Sequence, residues 1–226
     1  MGQKAKPKVL RINISDSWDS NWYGTQYTYK QNLLEDYKIR NFITDELRTA
    51  GTSSIIISRK SNTTLVVVYV SRPGVIFGKN GIDIKAVTEE IKNKIDSKIK
   101  IEIREIKNPD LDPKVLADFI AGQLVKRVPF RRAMKLGLQK ATKAGALGVR
   151  IACSGRLGGV EIARKEELKQ GSVPLQTFRA NIRFAISEAS TIYGTCGVKV
   201  WVNNGEVANF QNNINSWVEY VITKEN

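Results

Sequence analysis

Histidine is absent from this chain of 226 residues. Without imidazoles there is no His-based triad, no His metal ligand and no histidine acid–base chemistry near neutral pH. Carboxylate or lysine chemistry stays open, but the commonest catalytic side chain is missing. Cysteine is scarce. Cys153 and Cys196 are the two present, and no Cys-x-x-Cys pair occurs. Each falls on an apolar-alternating position of a predicted strand. That pattern reads as two buried, reduced thiols, with a disulfide as the other reading. Long apolar runs are missing too, and none approaches the ~20 residues of a membrane-spanning helix. The opening "MGQKAKPKVLRI" holds no apolar signal core, and Lys6 stands where a myristoylation signal needs Ser or Thr. These absences predict a cytoplasmic protein that makes no use of a membrane, and they offer no cofactor site.

Acidic residues are in deficit, with 22 Asp and Glu against 36 Lys and Arg, a net charge of +14. Such a surplus repels itself in the free protein and makes sense if a polyanion neutralises it. Nucleic acid is the first candidate and an anionic membrane the second. Hydrophobic residues make up 42% of the chain, enough for one or two domains with real cores.

Residues 1–30 read as a basic arm and loop. Lys4, Lys6, Lys8 and Arg11 are candidate RNA contacts that order only on RNA. In "DSWDSNWYGTQYTYK" the aromatics show no helical period; they either stack on bases or dock the loop on a core. From Leu34 to Ala50 the apolar spacing turns helical and Gly51 ends it. "SIIIS" and "TTLVVVYV" are β-branched runs joined by a hairpin-like "RKSN". After a glycine turn, Ile84, Val87, Ile91 and Ile95 recur at helical spacing, and "KIKIEIRE" alternates as a half-buried strand. Residues 31–107 thus form one small α+β domain. "KNPDLDPK" breaks the chain, with Asp112 placed as an N-cap and Pro113 at the first helical position. Residues 108–205 follow as two helices, the second from Pro129 to about Gly145, and then mostly antiparallel strands. The Asn-rich residues 206–226 read as a tail.

The turn "RPGVIFGKNG" (72–81) brings three glycines between a strand and a helix. A dinucleotide fingerprint fails because Ile76 stands where its first glycine belongs. A P-loop fails on spacing, and because Asn80 replaces the Mg²⁺-binding hydroxyl. Gly-x-x-Gly between two helices fits a KH domain, whose loop approaches the backbone of single-stranded RNA. There Gly78 and Gly81 remove side chains, Lys79 meets phosphate, Asn80 donates hydrogen bonds, and Arg72 adds charge at the strand end.

On a helical wheel, "FRRAMKLGLQKATKAG" (130–145) puts Phe130, Ala133, Met134, Leu138 and Ala141 on one side. Arg131, Arg132, Lys135 and Lys143 gather on the other. The helix contains no acid, whereas an ordinary soluble surface mixes signs. The pattern predicts a stripe that faces a polyanion. In "SGRLGG…EIAR", Arg156 either binds phosphate or serves a hairpin turn, and Arg164 is a further basic candidate.

Together "MGQK…P", "RPGVIFGKNG", "FRRAMK", "SGRLGG…EIAR" and "YGTCGVKVWV" resemble, in order and spacing, the S-three family of bacterial small-subunit ribosomal proteins. The likeness spans nearly the whole chain. It implies a type II KH domain, with a three-stranded sheet covered by helices on one face, and then a second α+β domain of two helices on a mostly antiparallel sheet. It implies a place in the head of the small subunit, bound to ribosomal RNA beside proteins S-ten and S-fourteen. It also implies a role where messenger RNA enters, with Arg131, Arg132 and Lys135 helping to open messenger structure. Two departures stand out. Lys6 replaces the family's usual histidine, and the tail "SWVEYVITKEN" is nearly neutral where the family's is often basic. Read from the residues alone, a free KH-type RNA-binding regulator is the alternative.

Overall fold

The computed structural model describes residues 5–60, 63–77, 89 and 98–206. The chain divides into two compact units. One runs from Trp18 to Lys107; the other joins the residues up to Ser17 with the chain from Asn108 onward.

The Trp18–Lys107 unit is built on helix α1 (Gln26–Glu46) and strands β1 (Ser20–Asn21), β2 (Thr52–Lys60), β3 (Thr63–Val70) and β4 (Lys98–Glu105), with the short helix α2 (Pro73–Phe77) after β3. The sheet order is β1-β2-β3-β4. Strands β2 and β3 are antiparallel, pairing Ile57 with Val66, and β3 and β4 are parallel, pairing Val66 with Ile101. The parallel β3–β4 pair requires a long crossover, which the intervening chain from Ser71 to Ser97 supplies. Period-two alternation sends Val66, Val68 and Val70 to one face, where they meet Ile39 and Ile43 of α1 and Ile55, Ile57, Ile76 and Ile99. Each such Ile or Val contributes roughly 1.5–3 kcal/mol by leaving water.

Two features differ from the sequence reading. Helix α1 begins at Gln26, about two turns before Leu34, and these early turns leave Tyr27, Leu33 and Leu34 exposed. An exposed face has no apolar period to read. The sheet also gains β1 as a fourth strand, parallel to the edge of β2 through Ser20 and Asn21. A buried carboxylate fixes it. Asp36 Oδ2 accepts from Trp22 Nε1 at 2.7 Å and Ser20 Oγ at 3.1 Å, while Oδ1 accepts from Arg59 Nη2 at 2.6 Å. Arg40 adds bonds to the Asp19 and Ile55 carbonyls at 2.9 and 2.6 Å. Burial works to lower the Arg59 pKa, but the hydrogen bonds that Arg59 donates to Asp36 and Glu35, with their negative charge, outweigh it and raise the value. The loop aromatic Trp22 is thus held to the domain by its indole N–H.

The second unit has helices α3 (Pro113–Val125) and α4 (Phe130–Lys143), then β5 (Gly148–Gly155), β6 (Arg164–Gly171), β7 (Ala180–Thr191) and β8 (Gly194–Glu206). The sheet order is β6-β5-β8-β7, and all three pairings are antiparallel. Asp112 caps α3, its Oδ1 accepting from Lys114 N at 2.9 Å and Val115 N at 3.3 Å, with Pro113 at the first position. Leu116, Ala117 and Ile120 of α3 and Ala133, Met134 and Ala141 of α4 cover one face of the sheet, against Val149, Ile151, Cys153, Val198, Val200 and Val202. Gly137 lets the helices close up: a Cβ there would lie 2.8 Å from Ile120 Cδ1. Cys153 and Cys196 are buried free thiols in this core. Burial, with the neighbouring Cys196, pushes the Cys153 thiol up to about 12.

Candidate nucleic-acid interface

Helix α4 organises the cationic surface. Ala133, Met134, Gly137 and Ala141 are buried, with Leu138 partly buried beside them, which leaves the opposite side of the helix facing outward. Arg131, Arg132, Lys135 and Lys143 are all exposed. Arg131 keeps 72% of its side-chain surface open, and its Nη2 lies 3.7 Å from Glu166 Oε1 on β6. The acid missing from the helix thus arrives from a strand, at a distance that leaves the guanidinium free to turn outward. Arg164, at the start of β6, places its guanidinium 5.4 Å from the centre of the Phe130 ring, and Arg131 lies 5.7 Å from the same ring. Both distances lie within cation–π range. Phe130 therefore joins Arg164 to the stripe, an association of strand and helix that linear sequence does not display. Among the described residues, no ion pair engages Arg132, Lys135 or Lys143. Lys140 on the same helix is different: its Nζ sits 3.8 Å from the Phe119 ring centre and ties α4 to α3.

Sequence reading passed over the turn between the helices. Lys126 and Arg127 are both exposed there, directly ahead of the stripe. Arg127 is one of two non-glycine residues with positive φ among the described residues, at 60°. For an L-residue that conformation costs about 1 kcal/mol. The run "KRVPFRR" carried the charge signal, but its proline was read only as a helix start.

Arg11 corrects an expectation. It is not an arm residue waiting for RNA: its relative exposure is 0%. Its Nε donates to Ala180 O at 2.9 Å, its Nη1 to Pro7 O at 3.1 Å, and its Nη2 to Leu175 O at 3.2 Å and Thr177 O at 2.9 Å. Its own carbonyl accepts from the N–H groups of Ile14, Ser15 and Asp16. Burial pulls its pKa down, and the charge of Asp16 opposes the shift. Guanidinium carries five donors in a fixed fork, and here carbonyls accept from all three of its nitrogens. The segment expected to be a free arm is thereby fastened to the second unit. Within it Lys6 is exposed and Lys8 partly exposed; Lys4 lies outside the described residues.

Arg156 is half-buried. Its Nε donates to Val160 O at 2.9 Å and its Nη1 to Tyr193 O at 3.2 Å, which braces the β5–β6 loop against the β7–β8 turn. Of its two readings, this geometry is the turn. Arg72 is exposed just after β3 and its N–H donates to Ala50 O at 3.1 Å. Gly78, Lys79, Asn80 and Gly81 lie outside the described residues.

The comparisons with known proteins agree with both units. A KH domain model matches residues 38–111, and the model of the ribosomal protein S3 C-terminal domain matches residues 120–202. The small ribosomal subunit protein uS3 of Clostridium perfringens is 48% identical over 208 residues, covering 92% of this chain and 94% of that protein. The uS3 proteins of Ehrlichia canis and Novosphingobium aromaticivorans are 50% and 47% identical, over 91% and 92% of this chain and 97% and 90% of theirs. With a KH domain, an S3 C-terminal domain and identity near one half along nearly its full length, the chain belongs to the uS3 family of small ribosomal subunit proteins.

Proposed function

We propose that this protein holds ribosomal RNA through its KH domain and guides messenger RNA across the α4 face of its second domain. As a uS3 protein it is a non-enzymatic constituent of the small ribosomal subunit, binds ribosomal RNA and works in the cytoplasm, where bacterial ribosomes are. Its net charge of +14 suits that setting, since RNA neutralises what would otherwise repel itself.

The finer reading places it in the subunit head, beside proteins S-ten and S-fourteen, at the site where messenger enters. The head and its neighbours follow from the family resemblance; one observation supports the messenger part: Arg131, Arg132 and Lys135 are exposed on a helix whose opposite side is buried and which has no acid of its own. Point charges on a rigid helix bind phosphates without reading bases. That is what holding any messenger requires. Translocation drives strand opening, and the stripe keeps separated strands apart by their phosphates. In the KH domain, Gly78, Lys79, Asn80 and Gly81 are the residues we assign to RNA backbone, from the Gly-x-x-Gly motif in the sequence, together with the exposed Arg72.

The test uses ribosomes carrying Ala at Arg131, Arg132 and Lys135. Subunits should assemble and translate unstructured messages at the normal rate, and slow on messages with a stable hairpin just downstream. Equal slowing on both messages would point to a general RNA-binding role. No slowing on either would remove the messenger reading.

A further inference from the structure

Helices α3 and α4 end in the same way with different residues. At the end of α4, Gly145 has φ 96°, Gly145 N donates to Thr142 O at 3.1 Å and Ala146 N to Ala141 O at 3.1 Å. At the end of α3, Arg127 has φ 60°, Arg127 N donates to Leu124 O at 3.0 Å and Val128 N to Gln123 O at 3.1 Å. Both are the paired-bond helix stop that favours glycine at its left-handed position. Glycine fills it in one helix and a large cation fills it in the next.

A cation near a helix C-terminus does interact favourably with the helix dipole. Lys126, at the C-cap of α3, already supplies one. Arg127 is exposed, and no acid pairs with it among the described residues. Strained backbone concentrates where a side chain is needed in a particular place. Here that place is the exposed turn four residues ahead of Arg131 in the chain, directly before the helix that carries the stripe.

We propose that Arg127 is a further phosphate contact for messenger RNA, extending the α4 stripe onto the α3–α4 turn, and that its left-handed backbone is the stability sacrificed for that contact. This rests on the messenger-strand reading of the stripe. It adds a contact on a different element, one whose position is set by backbone conformation rather than by helical period.

The experiment compares Arg127→Gly and Arg127→Lys with the parent chain and with the Arg131, Arg132 and Lys135 triple-Ala variant. Each full chain is melted, titrated with a short oligouridylate over a salt series, and reconstituted into ribosomes that translate hairpin messages. Arg127→Gly should melt about 2–4 °C higher, since it relieves the backbone strain. Its salt slope should nevertheless fall by about 0.7, one single-strand phosphate contact, and its pause at the hairpin should lengthen. Arg127→Lys should restore slope and pause but not the added stability. An unchanged slope or pause in Arg127→Gly, while the triple variant loses its own, would overturn the role of Arg127 and leave the stripe intact. Unchanged slopes in both variants would overturn both. A lower melting point for Arg127→Gly would show that the arginine is there to stabilise the helix end, which also overturns the proposal.

Discussion

Replacing Arg11 by Met removes a cation that looks, in sequence, like any other residue of a basic arm. The structure predicts a large stability loss and no loss of RNA affinity. Arg11 donates to four carbonyls, and the bonds to Ala180 O at 2.9 Å and Pro7 O at 3.1 Å are fully buried. Bonds from a charged donor are worth about 1.5–3 kcal/mol each. Counting only those two, and setting the relieved burial of the guanidinium against the carbonyls left unpaired, gives a net cost of about 3–4 kcal/mol. For a protein of this size that lowers the melting midpoint by about 6–16 °C. Arg11→Lys should recover less than half of the loss, because a single ammonium cannot span the fork of carbonyls at Pro7, Leu175, Thr177 and Ala180. The assay is thermal denaturation of the full chain, followed by an RNA titration across a salt series well below the lowered midpoint. A melting shift under about 2 °C would refute the clamp. So would a salt slope reduced by one phosphate contact at unchanged stability, which would return Arg11 to the RNA-facing set.

The α4 triple variant should lose about two units of salt slope in single-strand binding while melting within about 1 °C of the parent, since Ala is at least as good a helix former as Arg or Lys. A large melting shift would mean that the Arg131–Glu166 pair or the Phe130 stacking holds the fold. Asp36→Asn should destabilise by about 3 kcal/mol in denaturant unfolding, because an amide cannot accept from Arg59 on one side and from Trp22 and Ser20 on the other without turning a donor on one of them. Unchanged stability would show that Glu35 alone suffices for Arg59. Cys153 should resist alkylation in the native protein at mildly alkaline pH. Its folded pKa is pushed up to about 12 from 9.0, so above pH 9 the unfolded thiol ionises while the folded one keeps its proton. Stability should therefore fall as pH rises from 9 towards 12. Rapid native alkylation near neutral pH would contradict that burial.

The parts of this protein legible in sequence were those whose cause is local. Alternating Val66, Val68 and Val70 face one side of a strand because successive residues must. Asp112 followed by Pro113 caps a helix because that pair suits unsatisfied N–H groups wherever it occurs. The α4 stripe was visible because helical period alone assigns Ala133, Met134 and Ala141 to one side and Arg131, Arg132 and Lys135 to the other. Tertiary structure decided the rest. Arg11 stands among Lys4, Lys6 and Lys8 in the chain, but the carbonyls it binds at Leu175, Thr177 and Ala180 lie 164, 166 and 169 residues away. No local window separates a clamp from a contact. Strand β1 is two residues long, too short for any period, and is held in place by Asp36, which accepts from the Ser20 hydroxyl, and by Arg40, which bridges the Asp19 and Ile55 carbonyls. Arg127 looks in sequence like one more cation. Its left-handed backbone goes with two hydrogen bonds at the end of α3, from Arg127 N to Leu124 O and from Val128 N to Gln123 O. Composition fixes how much positive charge the chain carries for RNA. Only folding decides which of those charges are free to meet it, because a guanidinium that satisfies buried carbonyls is no longer available to phosphate.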